Sequence, residues 1–149
     1  MSIANRSIAN LRSIWRDNLG TAAIEMALVF PLFLAVVLGM LAYGIYFGAA
    51  HSIQQLAADA ARSTVAGLDD TERASLASDF IQNNASRYAL LTASLIQLQA
   101  TPNQNSPDDF VVTLTYDASK LPIWNLSAFI PLPSKTIERA AVVHRGGVQ

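Results

Sequence analysis

From Met26 to Ala50 the chain carries 25 consecutive residues without a charge, MALVFPLFLAVVLGMLAYGIYFGAA. Wound as an α-helix at about 1.5 Å per residue, a run of that length reaches about 37 Å, enough to cross a hydrocarbon core of about 30 Å. The pattern predicts a membrane-spanning helix within residues 21–50. No breaker follows it. From His51 to Ala66 a helical period continues, with Ile53, Leu56, Ala57, Ala60, Ala61, Thr64 and Val65 on one side and Gln54, Gln55, Asp59 and Arg62 on the other. One long helix, Thr21 to Ala66 and about 69 Å by rise, is expected, with Gly67 as its stop. Asp69 then reads as an N-cap with Glu72 three positions on, a capping box opening a second helix to about Tyr88. Ala74, Ala77, Phe80, Ile81, Ala85 and Tyr88 give that helix its buried face.

The last third of the chain changes period. Ser94 to Ala100 alternates with Ile96, Leu98 and Ala100 on one side, and Phe110 to Tyr116 with Phe110, Val112, Leu114 and Tyr116 inward. Thr101 to Asp109 is expected to be the loop between them, and Lys135 to His144 a third strand with Ile137, Ala141 and Val143 inward. Between the last two strands lies LPIWNLSAFIPLP, too short to span a bilayer. Its Ile123, Trp124, Leu126, Phe129 and Ile130 should pack under the sheet, touch the membrane surface or meet a partner, with core packing favoured. The fold class that follows is α+β, a second helix packed on a small antiparallel sheet behind a long N-terminal membrane helix.

At 149 residues the chain has room for one membrane helix and one small domain. Its net charge of −1, with no basic run beyond the N-terminal segment, argues against nucleic acid as a partner. The absence of cysteine excludes disulfides, thiolate metal sites and a catalytic thiol. Arg6, Arg12 and Arg16 precede the helix, whereas the first charges after it are Asp59 and Arg62. The positive-inside rule therefore keeps the N-terminus in the cytoplasm and sends the C-terminal domain out, to a periplasm or cell surface.

Glu25 is the one acid at the edge of the apolar run. Such a side chain costs up to about 2.5–3.5 kcal/mol at a helix centre and less toward the ends, so it calls for a partner or a task unless it sits at headgroup depth and reaches back to water. A basic head, then Gly20, then a glutamate at the fifth position beyond it and a long apolar helix resemble a class III prepilin cut after the glycine. With AAIEMALVFPLFL and QQLAADAARSTVAG, residues 20–67 resemble the N-terminal region of the TadE-like minor pilins, or pseudopilins, of the Flp (tight adherence, Tad) pilus system. Many members of that family carry an acid before a Tyr-Gly pair. Here Ala42 stands there, before Tyr43 and Gly44.

The resemblance implies a pilin-like domain and an organisation into a leader at 1–20, an assembly helix at 21–50 and an extracytoplasmic domain at 51–149. It implies cleavage between Gly20 and Thr21 by a prepilin peptidase, and an assembly role for Glu25. The implied partners are that peptidase, other Flp/Tad pilins, an inner-membrane assembly platform and membrane lipid, with no cofactor. Cleavage would expose an α-amino group on Thr21, mostly protonated at neutral pH, one helical turn from Glu25 on the same face. Pro31 should kink or loosen the helix. Gly39, Gly44 and Gly48 leave notches, the last two in a G-x-x-x-G spacing suited to close helix contact.

Little points to catalysis. His51 and His144 have no second ligand at metal spacing, there is neither a G-x-S-x-G elbow nor a glycine-rich phosphate loop, and Asp69-Asp70 and Asp108-Asp109 read as a cap and a turn. The chain is expected to be a peptidase substrate and not an enzyme. Two rival readings stay open: a permanently anchored single-pass envelope protein whose exterior domain binds a partner, and an exported domain released after Ala50.

Overall fold

The computed structural model describes residues 18–144; the arginines of the N-terminal segment, with Trp15, lie outside the described residues. Two compact units result, one ending at Gly39 and the other beginning at Met40. The α-helix α1, Asn18–Ser63, contributes to both and continues as a 3₁₀ turn at Thr64–Ala66. Helix α2 spans Asp70–Asn84, and strands β1 (Ile96–Asn103), β2 (Ser106–Asp117) and β3 (Thr136–His144) complete an α+β fold.

In the first unit, α1 exposes apolar side chains all around: Ile24, Met26, Leu28, Val29, Phe30, Leu32, Phe33 and Val36 are each at least half exposed. A helix apolar on every side that is not buried in protein is built for lipid. Its best window has a mean hydropathy of 2.4, and it is the one helix among the described residues long and apolar enough to cross a membrane. Pro31 stands inside the uninterrupted α-helical run, so the Ala27 carbonyl loses its usual donor without ending the helix.

In the second unit the same helix changes role. Ala42, Ala49, Ile53, Leu56, Ala57, Ala60 and Thr64 recur largely at three- and four-residue steps and are buried. The complementary surface is the inner face of β2, where Phe110, Val112, Leu114 and Tyr116 are buried in alternation. The sheet is antiparallel in the order β1-β2-β3, so the longest strand is central. Gln54 donates from Nε2 to the Ala140 carbonyl at 3.3 Å, tying α1 to β3. Helix α2 adds Ala77 and Ile81, followed by Ala85, to the same core.

The capping box predicted at Asp69 forms with one change. Asp69 Oδ1 accepts from the Glu72 amide at 2.8 Å, but the Glu72 carboxylate reaches the Leu68 amide, at 2.7 Å, one residue further out than the usual box. The second helix ends at Asn84; Ala85–Arg87 is a 3₁₀ turn. The loop expected over Thr101–Asp109 is mostly strand. β1 runs to Asn103, β2 starts at Ser106, and a register shift falls between Pro102 and Asn103. Pro102 is tolerated because β1 is an edge strand, and Pro107 because β3 pairs with β2 only from Asp109 onward. The Asn103 side chain accepts from the Asn105 amide at 3.0 Å, supplying the turn chemistry.

The apolar connection between β2 and β3 is closed at its base by the Ala118 amide donating to the Lys135 carbonyl at 2.7 Å. Within it a 3₁₀ turn, Pro122–Leu126, buries Ile123, while Trp124, Leu126 and Ile130 pack partly against the core. The Trp124 indole donates to the Ala118 carbonyl at 2.6 Å. Core packing therefore accounts for the segment with one exception, Phe129, which is 78% exposed.

Two features of this unit carry measurable consequences. Gly67 ends the helix in an extended conformation, φ −73° and ψ 137°, not in the left-handed cap that its position suggested. Its glycine identity answers to crowding: a Cβ there would lie 2.6 Å from Arg73 Cγ and 2.9 Å from the Arg73 amide nitrogen. Because one neighbour is backbone at a helix start, Gly67→Ala should cost about 1–3 kcal/mol in chemical unfolding, although its φ suits alanine. The Tyr88 hydroxyl donates to Asp59 Oδ2 at 2.7 Å, joining α1 to the turn after α2. Burial first, then that hydrogen bond and the Asp59 charge, push the Tyr88 phenol up to about 12. A raised folded-state pKa means that this contribution is whole below the ordinary tyrosine value of about 10 and is lost as pH climbs toward 12. Tyrosinate absorbance should show one late-titrating tyrosine in the folded protein, and Asp59→Asn should bring it to lower pH.

Candidate processing and assembly helix

The residues singled out on the N-terminal helix fall into two sets. Gly20, Thr21, Glu25 and Pro31 belong to the first compact unit, and all are exposed. The Gly20–Thr21 peptide bond lies in helical backbone. A Cβ on Gly20 would meet no atom within 4 Å, so nothing in the described residues requires glycine there for packing. Glu25 lies four residues after Thr21, which in an α-helix places it one turn along the same face. It is flanked by Ala22, Met26 and Val29, and it makes no hydrogen bond or ion pair among the described residues. A carboxylate on an apolar helix with no partner among the described residues is available to an external one.

Gly39 closes the first unit and is half-buried. In the second unit, Gly44 and Gly48 do not act alike. A Cβ on Gly44 would meet nothing within 4 Å, whereas one on Gly48 would come 3.0 Å from Leu90 Cδ1. Gly48 therefore serves the fold of its own domain, and Gly44 is the open half of the G-x-x-x-G pair.

Leu90 was not visible as a special position in the sequence. It is the one non-glycine described residue at positive φ, 65°, and its carbonyl accepts from the Tyr116 hydroxyl at 3.2 Å. A left-handed leucine costs about 1–2 kcal/mol, offset here by that hydrogen bond and by seating the side chain on Gly48. Tyr43 was likewise missed; its hydroxyl donates to the Pro131 carbonyl at 2.9 Å, fastening the β2–β3 connection to α1. Its ring stands 6.0 Å from that of Phe47, which is 6.0 Å from that of Tyr46. Aromatic side chains grouped where an apolar helix ends are the one sequence signal that could have marked this level.

The histidines take local partners. His51 Nε2 lies 3.2 Å from Gln55 Nε2 one turn on, and His144 Nδ1 lies 3.0 Å from Asp109 Oδ1 across the β2–β3 ladder. The hydrogen bond from His144 is the main cause that holds the Asp109 carboxyl below the usual carboxylate range, with Ser106 next. Among the described residues no group of three or more His, Cys, Asp or Glu is arranged to hold a metal ion.

Against known proteins, residues 20–62 match the family model described as TadE-like protein. No curated protein and no solved structure matches the chain. The matched stretch begins at Gly20 and stops one residue short of the end of α1.

The different surroundings of the two glycines predict different outcomes. Gly44→Ala should leave the thermal midpoint unchanged or raise stability by up to about 1 kcal/mol, since alanine is the better helix former and the site is open. Gly48→Val should lower the midpoint by crowding Leu90. A loss of partner association in a normally folded Gly44→Ala protein would identify this face as a helix-packing surface.

Proposed function

We propose that this chain, a TadE-like protein of the Tad pilus system through residues 20–62, is a minor pilin or pseudopilin made as a membrane-anchored precursor and processed after Gly20. The observation that carries the reading is the pairing of that family match with an exposed Glu25, without a partner among the described residues, one helical turn beyond the Gly20–Thr21 bond. The chain does no chemistry of its own in this scheme. It is the substrate of a prepilin peptidase, which adds water across the bond to leave a carboxylate on Gly20 and an amine on Thr21.

The physics of the product supports a role for Glu25. The new α-amino group, with an ordinary pKa of about 8, is mostly a cation at neutral pH. It would stand at the positive end of the helix macrodipole, beside amides that have lost their helical acceptors, which is an unfavourable place for a cation. A carboxylate one turn in offsets both charges, either within the chain or by pairing with the amine of an adjacent subunit and fixing axial register. Because the scissile bond lies in helical backbone, the peptidase has to unwind the turn around it before cutting.

The topology belongs to the same proposal. The leader stays in the cytoplasm, the apolar half of α1 crosses the inner membrane, and the α+β unit faces the periplasm, where other Flp/Tad pilins and the assembly platform would meet it. Release of a soluble domain after Ala50 fits poorly, since it would strip Ala42, Ala49 and Ala50, all buried, from the domain core.

N-terminal sequencing and intact mass of the native protein, with and without the prepilin peptidase, test the first step. A peptidase-dependent start at Thr21 is expected, with full-length precursor accumulating in a Gly20→Val strain. A start at Met1 would instead favour a permanent anchor, and one at His51 an exported domain. For Glu25, a Glu25→Gln protein should be processed normally yet fail to co-assemble with its pilus partners. Co-assembly at the level of the unaltered protein would remove the pairing role.

A further inference from the structure

Ile123, Trp124, Leu126 and Ile130 of the connection pack on the core and Phe129 does not, and its place in the fold says what it meets. The first buried residue of α1 is Ala42, at 1% exposure. Between Thr21 and Leu41 lie 21 residues, about 32 Å of helix at 1.5 Å each, which matches a hydrocarbon core of about 30 Å. The count reaches a bilayer's thickness at Leu41, next to the first buried residue.

The aromatic group formed by Tyr43, Tyr46 and Phe47 marks the same level by a separate criterion. Tyrosine, an apolar ring with a polar hydroxyl, is enriched at the lipid–water boundary; Tyr43 and Tyr46 are half-buried, beside Phe47 at 61% exposure. Within the second unit the Tyr43 hydroxyl holds the Pro131 carbonyl at 2.9 Å. Side chains of a helix lean toward its N-terminus, so Pro131 sits level with Tyr43 or on the side of the apolar run. Phe129 is two residues away, at most about 7 Å along the chain. The polar interface of a bilayer is about 5–7 Å deep on each side, so that reach keeps Phe129 at the interface. Ile130 beside it faces the core, and the turn is held by the Phe129 and Ile130 amides donating to the Leu126 carbonyl, each at 3.0 Å.

We propose that the Leu126–Pro131 turn is a membrane-seating element: Phe129 enters the outer headgroup layer beside α1 and fixes the height at which the domain rides on the lipid surface. The occupant is the bilayer itself. The Phe129 ring is left in water although Ile130 beside it packs on the core, and the nearest apolar phase is the one that α1 enters a few residues earlier. This inference rests on the membrane span of α1 and not on processing or pilus assembly.

The absence of cysteine allows single-site labelling of the full chain. Phe129→Cys, Phe33→Cys and Leu68→Cys proteins, each carrying an environment-sensitive fluorophore, would be reconstituted in vesicles of phosphatidylethanolamine and phosphatidylglycerol. Emission would be quenched by lipids spin-labelled near the headgroup and, separately, by aqueous iodide. Position 33 lies in the span; position 68 is 91% exposed and follows Gly48 by twenty residues of mostly helical chain. The label at 129 should lose most of its emission to the lipid quencher and little to iodide, while that at 68 does the reverse. Iodide access at 129 equal to that at 68 would overturn the proposal, as would protection from both quenchers, which would mean a protein partner covers the turn. A label at 33 beyond the reach of lipid quenchers would overturn the span, and the seat with it.

Discussion

One buried core holds the second unit together, shared by the stripe of α1 and the inner face of β2. Ile53 and Leu56 on the helix and Phe110, Val112 and Leu114 on the strand are each fully buried. At about 1.5–3 kcal/mol per side chain, five such residues contribute on the order of 10 kcal/mol before conformational entropy is subtracted. That is comparable to the whole net stability of an ordinary domain, about 5–15 kcal/mol. A short sheet of three strands has no second layer to substitute for the helix. The helix is therefore as much a part of the domain as any strand, and the alanines at 57 and 60 let it lie close.

The same helix serves two solvents, and this limits what its sequence could reveal. In lipid it needs apolar side chains all around; against the sheet it needs an apolar stripe with polar residues opposite. From Ile53 onward Gln54, Gln55, Asp59 and Arg62 break the pattern, so the stripe could be read directly. Between Ala42 and Ala50 there is no polar contrast. Hydropathy cannot tell a residue facing lipid from one facing protein, and the burial of Ala42, Ala49 and Ala50 appears only in three dimensions.

Elsewhere, legibility followed how local the determinant is. The alternation of Phe110, Val112, Leu114 and Tyr116 and the cap at Asp69 are fixed by spacing alone, and the structure keeps both. The region 101–109 read as a loop because Pro, Asn and Asp crowd it, yet pairing with neighbouring strands overrode that composition except at the two-residue tip. Leu90 at positive φ and the close approach of Arg73 to Gly67 have no sequence signature, because each is set by a residue or backbone atom brought in by tertiary contact. The glycines show the same split: one residue type answers to crowding at 67 and 48 and to no contact at 20 and 44.

That split separates the residues the domain folds with from those it leaves unused. What the domain needs lies from Ala42 onward: the shared core, the Tyr43–Pro131 tie, the Tyr88–Asp59 bond and the packed glycines. Gly20 and Glu25 contribute to none of these, and their side-chain identities cost the fold nothing to keep or to change. An acid at the edge of an apolar helix is costly unless it reaches water or is compensated from outside the fold. Residues that the domain does not use are free to be set by demands from outside the fold, while the stripe from Ala42 onward answers to the sheet.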